Sequence, residues 1–464
     1  MAEPLDRLFA PASVAIVGAT ESPGKPGRRV TENLLGTGAR LYPVHPSRDQ
    51  VLGIRACRSL TELPERPDLA VIAVAAASAV DATEEAVRAG VPYVIVLAGG
   101  FGETGDEGRA LERRLAAAVS GSGTRLLGPN TLGIQVPGGI DTVFVEHEEG
   151  FTPGGVVMIS QSGSVAVEAL AAGARHGFPL RCFVGLGNAV DLGTIEFIRH
   201  FAEDPDTRCI CVYLEHLGEG RDLLEAARSA SRRVPVFFLK AGRTQAGAAA
   251  VASHTGRLAG SDRVVDGALV QHGIQRVEDD ESLMDAARLA AFVKPARGNR
   301  VAVVTPAGGY GVMCVDSIEG SIGAGVLELA TLASATEQKL RAVCLPFASV
   351  RNPIDLTAGV TTDSFAQAVD AVLDDPGVDI TIVLAFFAPE GIEPQLVDRI
   401  AASAHASDKS MIVLCRFGAR TDEFCRAFTA AGLAAYASLP RAVRAARLLV
   451  ERARIVADHE RTQR

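Results

Sequence analysis

The 464-residue sequence predicts an α/β protein made of three doubly wound domains. The main observation is a pattern that occurs three times, in which a short apolar strand runs into a glycine-rich turn and then into a helical segment. The copies are Ser13–Val17 followed by GATESPGKPG, Gly155–Ile159 followed by SQSGS, and Val301–Thr305 followed by PAGGYG. Continuous apolar strands bounded by helices are typical of parallel sheets that are covered on both faces.

The remaining strands and the domain boundaries follow from the same pattern. Segments rich in proline, glycine and charge precede the second and third copies, at 146–155 and 293–300. We therefore predict domains at about 1–145, 150–293 and 298–464. Further apolar strands are predicted at 69–75, 93–99, 209–215, 234–240, 379–387 and 410–416. The stretch 241–259 is rich in small residues without an apolar period, and it is predicted to be a loop that packs loosely and can move.

Composition excludes several classes of function. A net charge of −9 and 5% aromatic residues without tryptophan argue against binding to nucleic acid or to an anionic membrane surface. The longest apolar stretch, at 69–80, is shorter than the roughly 18 residues of a spanning helix. The first apolar run is too short for a secretory signal, so we expect a cytoplasmic protein. The eight cysteines form no CxxC pair, and no metal site is predicted.

The first glycine-rich turn, Gly18–Gly27, lies between a strand and a helix. Backbone N–H groups at such a turn bind phosphate, which suggests a nucleotide or pantetheine phosphate, although a tight structural turn would have the same glycines. The spacing departs from GxGxxG, and no convincing ribose-binding acid follows about 20 residues later, as NAD binding would require. Turns at 97–102 and 128–133 also follow strands and would lie at the same edge of the first sheet.

The second and third turns have different polar groups. Ser160–Ser164 offers hydroxyl groups at the start of a helix, where the helix dipole attracts an anion, but ordinary N-capping by Ser162 or Ser164 would look the same. Ala307–Gly311 repeats the turn without serine hydroxyl groups. Two helix N-termini aimed at one point would hold a phosphate better than either one alone.

Two further residues are candidates for catalysis. His254, in the sequence SHTG, lies in the small-residue stretch with no apolar face to bury its ring. Glu215 ends the strand CICVYLE, at the sheet edge where active sites form. A carboxylate there can hold one imidazole nitrogen and leave the other as a nucleophile. Taken singly, either residue is also consistent with a structural role.

Taken together, the motifs resemble those of the ADP-forming acyl-CoA synthetases, and more distantly those of succinyl-CoA synthetase. The resemblance extends from about Leu8 to Leu449. The motifs, in order, are GATESPGKPG, PVHPSR, GPNTLG, ISQSGS, GLGNAVD, YLEHLGEGR, LKAGRTQAG, ASHTGRLAGSD, TPAGGYGV and ASVRNPIDLT. The resemblance implies an N-terminal Rossmann-like CoA-binding domain followed by two flavodoxin-like domains.

The resemblance also implies a reaction and its residues. Phosphate attacks an acyl-CoA to give an acyl phosphate and free coenzyme A, and a histidine then takes the phosphoryl group and passes it to ADP. His254 would be that histidine and Glu215 the carboxylate that orients it. Coenzyme A would be bound by Gly18, Ala19, Thr20, Ser22, Gly24, Lys25, Gly27, Val44, Pro46, Arg48, Gly99, Gly100 and Phe101. Phosphate would be bound by Asn130, Gln161, Ser162, Gly163, Ser164, Gly308, Gly309 and Gly311.

The family requires an ATP-grasp module for nucleotide binding, and the three α/β domains leave no residues for one. Either a separate ATP-grasp beta subunit holds ADP or ATP with Mg²⁺, in a homo- or hetero-oligomer, as the resemblance implies, or the protein has lost the nucleotide half-reaction. Val167 stands where the succinate enzyme has tyrosine, so a small monocarboxylic acid is the favoured substrate. Two alternatives remain open at this point: a non-catalytic CoA- or acyl-CoA-sensing protein of the same fold, and an NAD(P)-dependent enzyme that uses the first domain.

Overall fold

The computed structural model describes residues 5–146, 151–176, 178–218, 220–255 and 261–463, without the side chains of 176, 252–255, 462 and 463. The chain divides into two compact units. Met1–Ala174 with Pro179–Asp280 form the first unit, and Arg175–Phe178 with Glu281–Arg464 form the second.

The first unit begins with a five-stranded parallel sheet in the order β2-β1-β5-β6-β7. Strands β3 and β4 form a separate antiparallel hairpin. The elements are α1 Asp6–Phe9, β1 Ser13–Val17, α2 Pro26–Leu34, β2 Arg40–Val44, β3 Gln50–Val51, β4 Ile54–Arg55, β5 Leu69–Ile72, α3 Ala76–Arg88, β6 Tyr93–Val96, α4 Asp106–Val119 and β7 Arg125–Leu127.

The second sheet of this unit has the order β13-β12-β11-β9-β10-β8. Its strands are parallel except β8, which pairs antiparallel with β10. The elements are β8 Ile134–Gln135, β9 Pro153–Ser160, α5 Gly163–His176, β10 Leu180–Gly185, α6 Thr194–Glu203, β11 Cys209–Leu214, α7 Gly220–Ser231, β12 Val236–Lys240, α8 Gln245–Thr255, α9 Asp262–Gln271 and β13 Gln275–Val277.

The second unit contains a third sheet, in which β15-β14-β17-β18-β19 are parallel and β16 also pairs with β14. The elements are α10 Asp280–Phe292, β14 Arg300–Thr305, α11 Gly308–Glu319, β15 Glu328–Leu329, α12 Ser334–Val343, β16 Ile354–Asp355, α13 Thr362–Leu373, β17 Ile380–Phe386, α14 Leu396–Ala406, β18 Ser410–Arg416, α15 Thr421–Ala430, β19 Ala435–Tyr436 and α16 Leu439–Gln463.

The predicted α/β class and the parallel sheets are confirmed. Each of the three larger sheets has a topological switch point, where successive connections leave on opposite sides: between β1 and β5, between β9 and β11, and between β14 and β17. Ligands of open α/β sheets bind in the crevice at the carboxyl ends of the strands at such a point. Each of the three glycine-rich turns follows the first strand of its switch point.

One predicted loop is wrong. Residues 245–255, within the predicted loop 241–259, form helix α8. The segment QAGAAAVASHT is rich in alanine, which has the highest intrinsic helix propensity, so it is helical without an amphipathic pattern. Among the described helices, none is long and apolar enough to cross a membrane.

Candidate active site

The first turn is shaped by close backbone contacts. Gly18 has φ +87°, and a Cβ atom there would lie 2.8 Å from the carbonyl oxygen of Ala73, which follows β5. A Cβ atom at Gly27, near the start of α2, would lie 2.0 Å from the carbonyl oxygen of Gly18. Glycine at both positions is therefore a packing requirement, because any larger residue would push α2 away from the end of β1.

Between these glycines, the loop is fixed by polar contacts. The Oγ1 atom of Thr20 accepts a hydrogen bond from the N–H of Ser22 at 3.2 Å. Arg48 donates to Oε2 of Glu21 at 2.8 Å, which ties the loop to the segment after β2. Of the predicted CoA-binding residues, Ser22, Gly24, Lys25, Pro46 and Arg48 are exposed, whereas the side chains of Ala19 and Val44 are buried in the core.

Two N–H groups of the turn after β6 are occupied by a carboxylate. The Oε1 atom of Glu103 accepts hydrogen bonds from the N–H groups of Gly100, at 2.6 Å, and Phe101, at 3.1 Å. The ring of Phe101 is buried in the hydrophobic core that packs against the first sheet, so only the backbone of this residue can reach a ligand. Gly99 is exposed, and a Cβ atom there would lie 3.0 Å from Oδ1 of Asn130. A ligand that binds the N–H groups of Gly100 and Phe101 has to displace the Glu103 carboxylate.

Asn188, which the sequence analysis did not single out, connects the two sheets of the first unit. Its Nδ2 atom donates to Glu103 Oε2 at 2.8 Å and to Glu112 Oε2 at 2.6 Å, and its Oδ1 atom accepts from Asn130 at 3.3 Å. Partial burial acts to raise the pKa of Glu103, but hydrogen bonds from Asn188 and from backbone N–H groups outweigh it and lower that pKa. The only sequence signal for this contact was the motif GLGNAVD, which contains Asn188.

The segment after β10 links the first-sheet edge to the second glycine-rich turn. The N–H of Leu186 donates to the carbonyl oxygen of Ser160 at 2.8 Å. Gly187 has φ +59°, and a Cβ atom there would lie 2.2 Å from the carbonyl oxygen of Pro129. The turns predicted to bind coenzyme A and phosphate are therefore joined by a short, tightly packed segment.

The second turn is held to the end of β11 by Gln161. Its Oε1 atom accepts hydrogen bonds from the N–H groups of Glu215, at 2.7 Å, and His216, at 3.2 Å. Its Nε2 atom donates to the carbonyl oxygen of His216 at 3.3 Å. Gln161 thus bridges the switch point between β9 and β11, and its side-chain amide is used for positioning.

Serine hydroxyl groups line the start of α5. Ser160 Oγ donates to the carbonyl oxygen of Ser162 at 2.7 Å, and the Oγ atoms of Ser162 and Ser164 are 3.2 Å apart. Gly163 and Ser164 are exposed, and a Cβ atom at Gly163 would meet no atom within 4 Å. The space beside Gly163, next to these two serines in the chain, is therefore open.

Glu215, predicted as the last residue of its strand, lies directly after β11, and only 6% of it is exposed. Burial, aided by the Glu215 carboxylate, raises the pKa of Tyr213 to about 12. A buried carboxylate at a sheet edge is well suited to orient a neighbouring imidazole. His254 lies in the last turn of α8, but its side chain is outside the described residues, so its distance from Glu215 stays untested.

A second residue that the sequence analysis missed is Lys240, which ends β12 and is only 3% exposed. Its Nζ atom donates to the carbonyl oxygen of Ala241, in the turn that leads to α8. Burial and the nearby Arg276 guanidinium lower the pKa of Lys240, against the carboxylates of Asp262 and Glu215, which raise it. A lysine at the end of the apolar run VPVFFLK was the sequence signal for it.

The third turn, in the second unit, has two glycines with close side-chain neighbours and one that faces open space. A Cβ atom at Gly308 would lie 2.4 Å from Oδ2 of Asp355, and one at Gly311 would lie 3.1 Å from Cγ2 of Thr305. A Cβ atom at Gly309 would meet no atom within 4 Å.

Among the described residues, no group of three or more His, Cys, Asp or Glu side chains is placed to hold a metal ion.

Three family models match the chain. A CoA binding domain matches residues 12–137, a succinyl-CoA ligase like flavodoxin domain matches residues 153–290, and a ligase-CoA domain matches residues 301–453. The matches follow one another along the chain and each contains one of the three glycine-rich turns.

Relatives match over most of the chain. The alpha subunit of ADP-forming acetate–CoA ligase II from Pyrococcus furiosus is 32% identical over 82% of this chain and 82% of its own length. The alpha subunit of ligase I from the same organism is 31% identical over 98% of this chain and 99% of its own length. The ADP-forming acetate–CoA ligase I of Archaeoglobus fulgidus is 32% identical over 96% of this chain, but this chain covers 63% of that protein.

A solved structure has the same fold. The dinucleotide forming acetyl-coenzyme A synthetase 1 of Candidatus Korarchaeum cryptofilum, in complex with phosphate and ADP, superposes with a TM-score of 0.92 at 30% identity. The match covers 99% of this chain and 98% of the solved chain.

Proposed function

The chain belongs to the family of ADP-forming acetate–CoA ligases, and from this premise we propose that it is the CoA-binding, phosphohistidine-bearing subunit of an ADP-forming acyl-CoA synthetase. It is an acid–thiol ligase, and the reversible reaction is acyl-CoA + ADP + phosphate to carboxylate + coenzyme A + ATP. The alternative of a non-catalytic CoA sensor is not favoured, since the relatives are ligases.

The proposed chemistry has three steps. A phosphate oxygen attacks the thioester carbonyl carbon, the C–S bond breaks, and coenzyme A leaves as a thiolate that takes up a proton. An imidazole nitrogen of His254 then attacks the phosphorus of the acyl phosphate, and the carboxylate leaves. Finally, a terminal oxygen of ADP attacks phosphohistidine, the N–P bond breaks, and ATP forms. Such transfers depend mainly on alignment and on neutralisation of charge.

The observation that carries this proposal is the short path between two turns of the first unit. Leu186 bonds to Ser160 in the second turn, and its neighbours Gly187 and Asn188 contact the first-sheet edge. Only residues 186–188 separate that edge from the second turn. A thioester held at the edge would therefore lie near the serine hydroxyl groups. Phosphate at Ser162 and Ser164, near the N-terminus of α5, would then be placed to attack the thioester carbon.

In this proposal Glu215 acts on the imidazole of His254. Its carboxylate accepts the N–H of one ring nitrogen, so that the other nitrogen is the nucleophile, and it stabilises the positive charge that develops on the ring. Gln161 supports this role because it fixes the backbone N–H of Glu215.

Nucleotide binding is assigned to a partner. The relatives named as alpha subunits imply a second subunit, and the Archaeoglobus relative extends well beyond the part that this chain covers. We propose that an ATP-grasp beta subunit binds ADP or ATP together with Mg²⁺. The acyl substrate is proposed to be a small monocarboxylic acid.

The test is phosphorylation of the chain with radiolabelled ATP in the presence of an ATP-grasp subunit. The wild-type chain should acquire a phosphate that is stable to alkali and labile to acid, and His254→Ala should abolish the label. The matched control is His272→Ala, since His272 directly follows α9 with its Nδ1 atom 2.7 Å from the carbonyl oxygen of Ala268, as expected of a structural residue. Equal labelling of the two variants would refute the proposal.

A further inference from the structure

A cluster of three side chains lies at the carboxyl edge of the third sheet. Phe386 and Arg416 are the last residues of β17 and β18, and they are directly paired in register. Tyr310, in the first turn of α11, has its ring centroid 6.2 Å from that of Phe386. The guanidinium carbon of Arg416 lies 5.6 Å from the Tyr310 ring centroid. The arginine is thus held against an aromatic surface beside the switch point between β14 and β17.

The guanidinium of Arg416 is fixed in place but has few partners. One of its NH1 protons goes to the carbonyl oxygen of Ala437 at 2.9 Å. Within the described part of the chain, no carboxylate oxygen lies within 4.0 Å of a guanidinium nitrogen of Arg416, so it forms no ion pair there. A guanidinium has five N–H donors in a planar fork. Most of this fork is therefore available to a ligand, and the side chain is only half buried.

A neighbouring arginine shows what a structural role looks like in this loop. Arg420 also stacks on aromatic rings, 5.5 Å from the centroid of Phe417 and 5.0 Å from that of Phe424. Its guanidinium, however, is bound at two points by the carboxylate of Glu423, at 2.8 Å each. Arg420 is neutralised within the protein, whereas Arg416 lies at the ligand-binding edge of its sheet without such a partner.

We propose that Arg416, held on the ring of Tyr310, binds an anionic group of a substrate at the carboxyl edge of the third sheet. The planar fork of arginine matches a carboxylate or a phosphate at two points, and stacking on tyrosine orients it in advance. The ligand class is therefore a carboxylate or phosphate group. The inference deepens the proposed function and rests on it for the choice of anions, because that reaction uses both.

The test measures anion binding through a fluorine NMR signal at Tyr310. The chain has five tyrosines, so incorporation of 3-fluorotyrosine gives few fluorine NMR signals, and Tyr310→Phe identifies the signal of interest. The full chain is titrated separately with inorganic phosphate and with acetate at constant ionic strength. The Tyr310 signal should shift with one of them, and the anion that shifts it identifies the source of the bound group.

Variants assign the effect to Arg416. Arg416→Met keeps an apolar stem on the tyrosine ring but removes the fork, and it should weaken the binding by at least about tenfold. Arg416→Lys keeps the charge without the fork and should bind with intermediate affinity. Arg420→Met should bind as the wild type does, and the other tyrosine signals report whether each variant is folded.

Two results would overturn the inference: no shift of the Tyr310 signal with either anion, or an equal shift in the wild type and in Arg416→Met. The measurement needs neither turnover nor a partner subunit. A failure here is therefore separate from a failure of the His254 labelling, which would refute the proposed function instead.

Discussion

The first and second glycine-rich turns have the same strand–turn–helix pattern but are built on different physical requirements. In the first, a Cβ atom at Gly27 would lie 2.0 Å from the carbonyl oxygen of Gly18, so glycine is needed for the backbone of α2 to approach the end of β1. In the second, Gly163 has open space where a Cβ atom would lie, and Gln161 and the serines make the contacts.

The comparison shows that glycine in such a turn is not by itself a mark of ligand contact. The first turn uses glycine to bring α2 against β1, and ligand binding is an additional role that its exposed residues can fill. The second turn has no close backbone neighbour at Gly163, so the free space there is available to a ligand. Polar side chains and open space together are the stronger signal for a binding site.

Gly27→Ala should give the largest effect, and it tests whether the first turn depends on backbone packing. The clash is with a carbonyl group of the backbone, which cannot rotate away, so we expect destabilisation of about 3 kcal/mol or more. Urea unfolding monitored by circular dichroism measures the loss. Gly163→Ala is the matched control and should be neutral or slightly stabilising, because alanine favours the helix. Equal losses in the two variants would remove the distinction between the turns.

Gln161→Ala should give an intermediate effect, and it tests whether side chains hold the second turn. The substitution leaves the N–H groups of Glu215 and His216 without their acceptor, which should cost about 1–3 kcal/mol of the free energy of unfolding. Ser164→Ala, which removes only one contact between hydroxyl groups, should cost less than about 1 kcal/mol. The same urea titration compares them, and a larger loss for Ser164→Ala would contradict the assignment.

Local pattern was enough to predict the long apolar strands, but not short ones such as β7 and β13. Ser13–Val17 and Ser410–Arg416 were predicted with the bounds that the structure has, because continuous β-branched and apolar runs leave little choice of conformation. Glu215 was predicted at the carboxyl end of its strand for the same reason, and it lies one residue beyond the observed end. Helix α8 was missed because alanine propensity, and not an apolar period, makes it helical.

Contacts between residues far apart in the chain could not be predicted from the sequence. Asn188 reaches Glu103 and Glu112 because β8 and β10 join the second sheet beside the first-sheet edge, and strand order is not encoded in any local run. Arg416 meets Tyr310 for a similar reason, since β18 and α11 are far apart in the chain. The sequence offered a signal for each of these residues, in GLGNAVD and at a strand end, but no way to pair them.

Glu103→Gln should give the smallest effect, and it tests whether charge stabilises the occupied N–H groups of the first-sheet edge. The pKa of Glu103 is lowered in the folded chain, so its ionised form contributes stability above the pKa of the unfolded chain. That contribution is lost as the pH falls through the folded pKa. The residue is exposed, and solvent screening limits the contribution to less than about 1 kcal/mol at neutral pH.

Glutamine keeps an oxygen that can accept from Gly100 and Phe101, so Glu103→Gln removes the charge together with the acceptor that Oε2 offers to Asn188. Thermal unfolding of the wild type and the variant, measured from about pH 8 to about pH 3, should give a difference in Tm that shrinks as the pH falls. Glu390→Gln, at an exposed position in the second unit, is the control and should show no such trend. A difference that grew towards acid pH would mean that the protonated form of Glu103 is the one the fold stabilises. The carboxylate would then be a poor competitor for a ligand phosphate at the N–H groups of Gly100 and Phe101.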